Sequence, residues 1–144
     1  MRGFGAVIGV LAVMSGSASA LAAEDKDTIE YRQHIMKALD AQVAVLGMIL
    51  SGAAPEDNLQ SHLDTIALIS QGALQSFEAK VPGGESTPEV WTKWADFQQR
   101  MNTFAAATVK VATIMREQGK DAIMSEVAPA LSCKSCHDVY RVKK

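Results

Sequence analysis

Residues 27–51 read DTIEYRQHIMKALDAQVAVLGMILS, and within them Ile29, Arg32, Met36, Leu39, Val43, Leu46 and Leu50 recur at alternating steps of three and four. Positions at that interval share one face of a helix, so the stretch predicts a long amphipathic helix whose seam turns toward a core. Gly52 and Pro55 end it, and Glu56 or Asp57 opens the next.

The pattern repeats outward from there. A second helix is predicted over 56–80, with Leu59, Leu63, Ile66, Ser70, Ala73 and Phe77 on one stripe. VPGGESTP at 81–88 is the strong Pro and Gly cluster downstream of the first 22 residues, and it reads as a loop between two helical hairpins rather than a domain linker. Ser86 or Thr87 caps a third helix, with Pro88 pre-set for its first turn and Glu89 favourable against the helix dipole. Its seam is Trp91, Trp94, Phe97, Met101, Ala105, Thr108, Val111 and Met115, and Gly119 stops it. Asp121 caps a last helix with Met124, Val127, Leu131 and Tyr140 as apolar positions. Pro129 lies too deep in that helix to be a first-turn proline, so a kink or break is expected just before residue 133. No stretch alternates as a strand does. Four helices with short connections imply an all-α fold, an antiparallel up-down-up-down four-helix bundle.

The chain has 144 residues, a length that suits one domain. Residues 1–22, MRGFGAVIGVLAVMSGSASALA, carry Arg2, an apolar run over 4–14, and small residues spaced as a cleavage site. They read as a cleaved signal peptide, because the apolar run falls short of the roughly 20 residues that span hydrocarbon. The expected domain is therefore 23–144. Cleavage removes one cation from 14 and none of the 16 acids, leaving a net charge of about −3. A fold-wide basic surface for nucleic acid is absent, and no later segment is apolar enough to cross a membrane. A soluble, exported protein is expected, with no nucleic acid and no stable membrane insertion.

The chain's two cysteines, Cys133 and Cys136, stand three residues apart with His137 next. Outside the cytoplasm a pair suggests a disulfide, but this loop is too small to constrain the unfolded chain much. Zinc needs a fourth ligand from His34, His62 or a carboxylate, none at a second knuckle spacing, and a thioredoxin-like pair needs a βαβ context. C-x-x-C-H is the attachment pattern of a c-type haem. On a helix the three side chains share a face, so both thiols can add to the haem vinyl groups while the imidazole reaches the iron.

CKSCHDVYR at 133–141, YRQHIM at 31–36 and TPEVW at 87–91 together resemble the cytochrome c-prime family, the class II c-type cytochromes, across essentially the whole mature chain. The resemblance implies a left-handed bundle with one covalent haem c, His137 as axial iron ligand, and often a homodimer through the first two helices. It also implies Arg32 near the haem propionates, Trp91, the aromatic opening the third helix, near the haem as well, and Arg141 after the haem motif.

By the same resemblance Met36 faces the far side of the iron. In low-spin relatives a methionine there ligates the metal, which raises the reduction potential and suits electron transfer; in five-coordinate members the residue only blocks a site for nitric oxide or carbon monoxide. A methionine on a seam is also simply good packing. The preferred reading is a periplasmic one-electron carrier, not an enzyme, with His137 and Met36 on the iron and redox proteins as partners; the alternative is the gas-binding form. Met101, Met115 and Met124 read as packing, and His34 and His62 receive no metal role. Lys134, Arg141, Lys143 and Lys144 are either cations favourable at a helix C-terminus or a rim that steers an acidic redox partner.

Overall fold

The computed structural model describes residues 17–143, with side chains from Glu24 onward. The predicted signal segment lies outside the described residues over 1–16, and so does Lys144. Among the described residues the chain is all-α: α1 (Ser17–Leu50), α2 (Leu59–Ala73), α3 (Gln75–Glu78), α4 (Glu89–Thr92), α5 (Trp94–Gln118), α6 (Lys120–Ile123), α7 (Val127–Ala130) and α8 (Cys133–Tyr140). These make four antiparallel legs: α1, α2 with α3, α4 with α5, and the run α6 to α8. The second leg packs against both the first and the third.

The first helix is longer than its apolar seam predicts, beginning at Ser17 rather than near residue 27. Leu39, Leu46 and Ile49 supply its buried face. Gly52 ends it with a φ of 77°, donating its N–H to Ile49 O at 3.0 Å while Ala53 donates to Met48 O at 2.8 Å. Those two bonds satisfy carbonyls that a helix end otherwise leaves open, and the left-handed residue they need is the glycine.

The other three predicted helices are interrupted. The second leg starts at Leu59, not at 56 or 57, and breaks at Leu74. The third starts at Glu89 with Pro88 preceding it, then breaks at Lys93, whose φ of −115° and ψ of 40° leave the helical region. Ser70 and Thr108 meet in a 2.6 Å hydroxyl hydrogen bond between α2 and α5, so these two polar seam positions are satisfied inside the core.

The fourth leg departs most from expectation. Gly119 turns the chain directly into α6, and the leg is cut into three short helices. Pro129 is the third residue of α7, so its missing N–H falls where a helix has no intrahelical acceptor, and the proline sits in a first turn after all. The expected break does fall before the cysteines, at Leu131 and Ser132. Met124 is 51% exposed and does not face the core; Ile123, fully buried, takes that place. The phase slips by one residue because α6 ends at Ile123.

Candidate haem site

The α8 segment CKSCHDVY turns Cys136, His137 and Tyr140 toward a cavity of about 500 Å³. That volume is in the range of cofactor sites. Met36 lines the opposite part of the wall from α1, beside Arg32, Gln33, Lys37 and Asp40. Phe77, Val90, Phe97 and Met101 give an apolar floor, and Glu85, Ser86 and Arg141 stand with the polar groups. Cys133 is not in the wall: it is exposed, on the first residue of α8, one turn before Cys136 and His137.

Phe97 organises the floor. Its ring lies 4.8 Å from Phe77, 5.8 Å from Trp94 and 5.1 Å, edge-on, from Tyr140, so α3, α5 and α8 meet on one aromatic centre. Such pairs each add about 0.5–1.5 kcal/mol beyond burial.

The electrostatics suit a neutral, ligating imidazole. Burial, with Arg141 second, pushes the His137 imidazole below its ordinary value, so at neutral pH the ring is uncharged and has a lone pair to give. Burial pushes the Cys136 thiol up, which favours its protonated form. A donor set of two thiols and one neutral imidazole on one helical face, beside a large mixed polar and apolar cavity, fits a c-type haem. Among the described residues no group of three or more His, Cys, Asp and Glu side chains is arranged to hold a metal ion.

Arg32 does line the cavity, yet it is 2% exposed and its guanidinium is engaged: Nη1 donates to Val81 O and Nη2 to Gly83 O, both at 3.0 Å. Trp91 is not in the cavity wall; it stacks on the Arg32 guanidinium at 5.3 Å and donates Nε1–H to Phe77 O at 3.2 Å. His34 is exposed and 3.6 Å from Glu30. His62 is half-buried, its Nδ1 2.8 Å from Gln42 Oε1.

The basic rim is partly neutralised. Lys134 is 2.6 Å from Asp138, its neighbour one turn on. Arg141 stands 3.5 Å from His137 Nδ1. Two residues that sequence reading passed over shape the site: Tyr140, counted only as apolar, is hydrogen-bonded to Asp96, and Lys37 lines the cavity one residue after Met36. The i,i+4 spacing from Gln33 to Lys37 was the available signal.

A search against known families matches the one described as cytochrome c′ over residues 27–141. A cytochrome c′ of Rhodopseudomonas palustris is 33% identical over 138 residues, 92% of each chain. A cytochrome c-556 of Agrobacterium tumefaciens is 28% identical, over 81% of this chain and 98% of that one. A solved structure of a ferrous variant of cytochrome c prime from Alcaligenes xylosoxidans with bound NO is 25% identical, with a TM-score of 0.70 over 83% of this chain and 97% of that one. The chain thus belongs to the cytochrome c′ family and, as its members do, carries one covalently attached haem c.

Proposed function

We propose that the protein is an exported monohaem cytochrome c′ whose iron is held from one side by His137 and left open on the other, where nitric oxide or carbon monoxide binds beneath Met36. Cys133 and Cys136 are its two thioether anchors. The observation that carries the reading is the shared cavity: His137 and Met36 line one space, Met36 comes from a different helix, and it is only half-buried. The relative solved with bound NO supports the gas-binding assignment over a permanently ligated iron.

The chemistry divides simply. A bound haem would supply a redox-active iron, and the chain's residues would decide access to it. His137, with its neutral ring, would hold the iron from its side of the cavity. Met36, with three rotatable bonds and no branch, fills the far side by packing and can turn aside for a diatomic ligand at little cost. The aromatic floor excludes water, and the polar groups around Lys37, Ser86 and Arg141 suit the carboxylate end of the cofactor. In this reading the protein acts by binding a diatomic ligand and by one-electron exchange. The preceding segment 1–22 directs the chain to the periplasm, where the haem is attached. Among the described residues no helix is long and apolar enough to cross a membrane.

The thioether of Met36 is also an iron ligand by chemistry, and that second reading makes the protein an electron carrier. Visible spectra of the purified holoprotein, ferric and ferrous, with and without carbon monoxide, separate the two. Broad high-spin bands and ready carbon monoxide binding, faster in Met36→Ala, are expected. A far-red sulfur-to-iron band with a sharp ferrous α band and indifference to carbon monoxide overturns the gas-binding reading in favour of the carrier.

A further inference from the structure

The segment VPGGESTP at 81–88 does more than connect two legs. Lys80, Gly83 and Gly84 take positive φ values of 54°, 129° and 63°, so the chain here is irregular and pressed close to its neighbours. A Cβ on Gly83 would stand 2.9 Å from Ile29 Cδ1, and one on Gly84 would stand 2.8 Å from Gln33 Nε2. One edge of the segment therefore lies against α1.

Its other edge is bonded to the chain that carries the haem motif. Thr87 N–H donates to Tyr140 O at 3.1 Å, Thr87 Oγ1 donates to Val139 O at 3.1 Å, and Val142 N–H donates to Glu85 O at 2.9 Å. Ser86 and Arg141 pair as an antiparallel bridge. The segment is thus a strap from α1 to the end of α8, and through Glu85 and Ser86 it forms part of the cavity wall.

Arg32 is the fastening. Its two terminal nitrogens reach Val81 O and Gly83 O, 49 and 51 positions away, while the Phe77 and Trp91 rings lie 5.1 and 5.3 Å from the guanidinium carbon. Burying a cation is costly, and here two charge-assisted bonds and two ring faces offset the cost.

We propose that Arg32 is the positioning residue of the haem site: by bridging two strap carbonyls it fixes the strap, and through the strap it sets α1, bearing Met36, against α8, bearing His137. Bridging the strap, rather than supplying positive charge to a haem carboxylate, is then its main contribution. The assignment holds whether Met36 is a lid or a ligand, because it concerns the spacing of the two helices and not the bond.

Lysine separates the two roles, since a point charge on a flexible stem keeps the cation but lacks the planar fork that spans two carbonyls. Gly83→Ala disturbs the strap and leaves Arg32 in place. On the holoprotein, Arg32→Lys and Gly83→Ala should each speed hydrogen exchange at the Thr87 and Val142 amides about tenfold or more, with α2 and α5 unchanged. Each should shift the reduction potential in the same direction, and the double variant should shift it no further than the larger single change, because both act on one latch. Wild-type exchange and potential in Arg32→Lys, with a potential shift only in Arg32→Met, would instead make Arg32 a counter-ion. An unchanged potential in Gly83→Ala with its exchange accelerated would equally sink the proposal, since the strap would then not reach the iron.

Discussion

Tyr140 donates its phenolic hydrogen bond to Oδ2 of Asp96, and the same oxygen accepts from Arg100 Nε at 2.7 Å. One carboxylate on the first turn of α5 therefore anchors the last turn of the helix that carries the haem motif. Tyr140 is buried against Phe97, so the bond fixes a residue that is also part of the cavity floor.

The anchor has a pH signature. Burial first, and the hydrogen bond to Asp96 second, push the Tyr140 phenol up to about 12. A raised pKa means stability fully present below the ordinary phenol value near 10 and lost as pH rises from there toward about 12. Asp96 runs the other way. Its hydrogen bonds from Tyr140 and Arg100 hold it below the usual carboxylate range, so its contribution is present above roughly pH 4 and fades as acid protonates it. Tyr140→Phe should flatten the alkaline limb of the holoprotein's urea midpoint against pH, and Asp96→Asn the acid limb. An alkaline limb as steep in Tyr140→Phe as in the wild type would show that Tyr140 does not titrate with unfolding.

The two cysteines differ in position, and that predicts a difference in haem retention. Cys136 is half-buried in the cavity wall, while Cys133 is exposed at the start of α8. Cys133→Ser should keep haem through Cys136 and run as a haem-stained band on a denaturing gel, with an altered ferrous α band from the unreacted vinyl. Cys136→Ser should retain less, and the double variant none. Covalent haem persisting in the double variant would mean that another group holds it.

How far the sequence reaches depends on whether a residue's role is set locally. Gly52 and Gly119 were legible as helix stops because a left-handed residue after a helix is a local demand. The spacing of the haem motif is local too, since Cys133 stands three and four positions before Cys136 and His137, but that only the latter two line the cavity is not. The breaks at Leu74 and Lys93 were not legible, because the apolar period runs through both. Arg32 stood in plain view on the α1 seam, but its carbonyl partners lie about fifty positions away on a loop whose path no local rule gives.

Ile123 measures the cost of that missed phase. Reading the fourth leg as one helix from Asp121 up to the expected break puts Met124 inward at the spacing of Val127 and Leu131, yet α6 ends at Ile123 and buries it completely. Ile123→Ala should destabilise the holoprotein by about 2–5 kcal/mol, the range for emptying a buried aliphatic site. Met124→Ala, at an exposed position, should stay within about 0.5 kcal/mol. Denaturant unfolding of the two variants checks the phase directly, and a reversed order would put Met124 back in the core.

The same substitution should act with opposite signs at two glycines. Gly119 has a φ of 86° and a ψ of −177°, a region essentially reserved for glycine, and a Cβ there would meet nothing within 4 Å. Gly119→Ala therefore costs backbone strain alone, on the order of 1–3 kcal/mol, and that strain falls on the turn that starts the haem-bearing leg. Gly47 lies inside α1, exposed, with equally open space around its Cβ position. Gly47→Ala removes chain entropy from the unfolded state without adding strain and should stabilise by about 0.5–1 kcal/mol. Because neither alanine gains or loses a contact, thermal or urea unfolding of the pair reads backbone conformation alone. A neutral Gly119→Ala would mean that the turn between α5 and α6 relaxes to a conformation other than the one described.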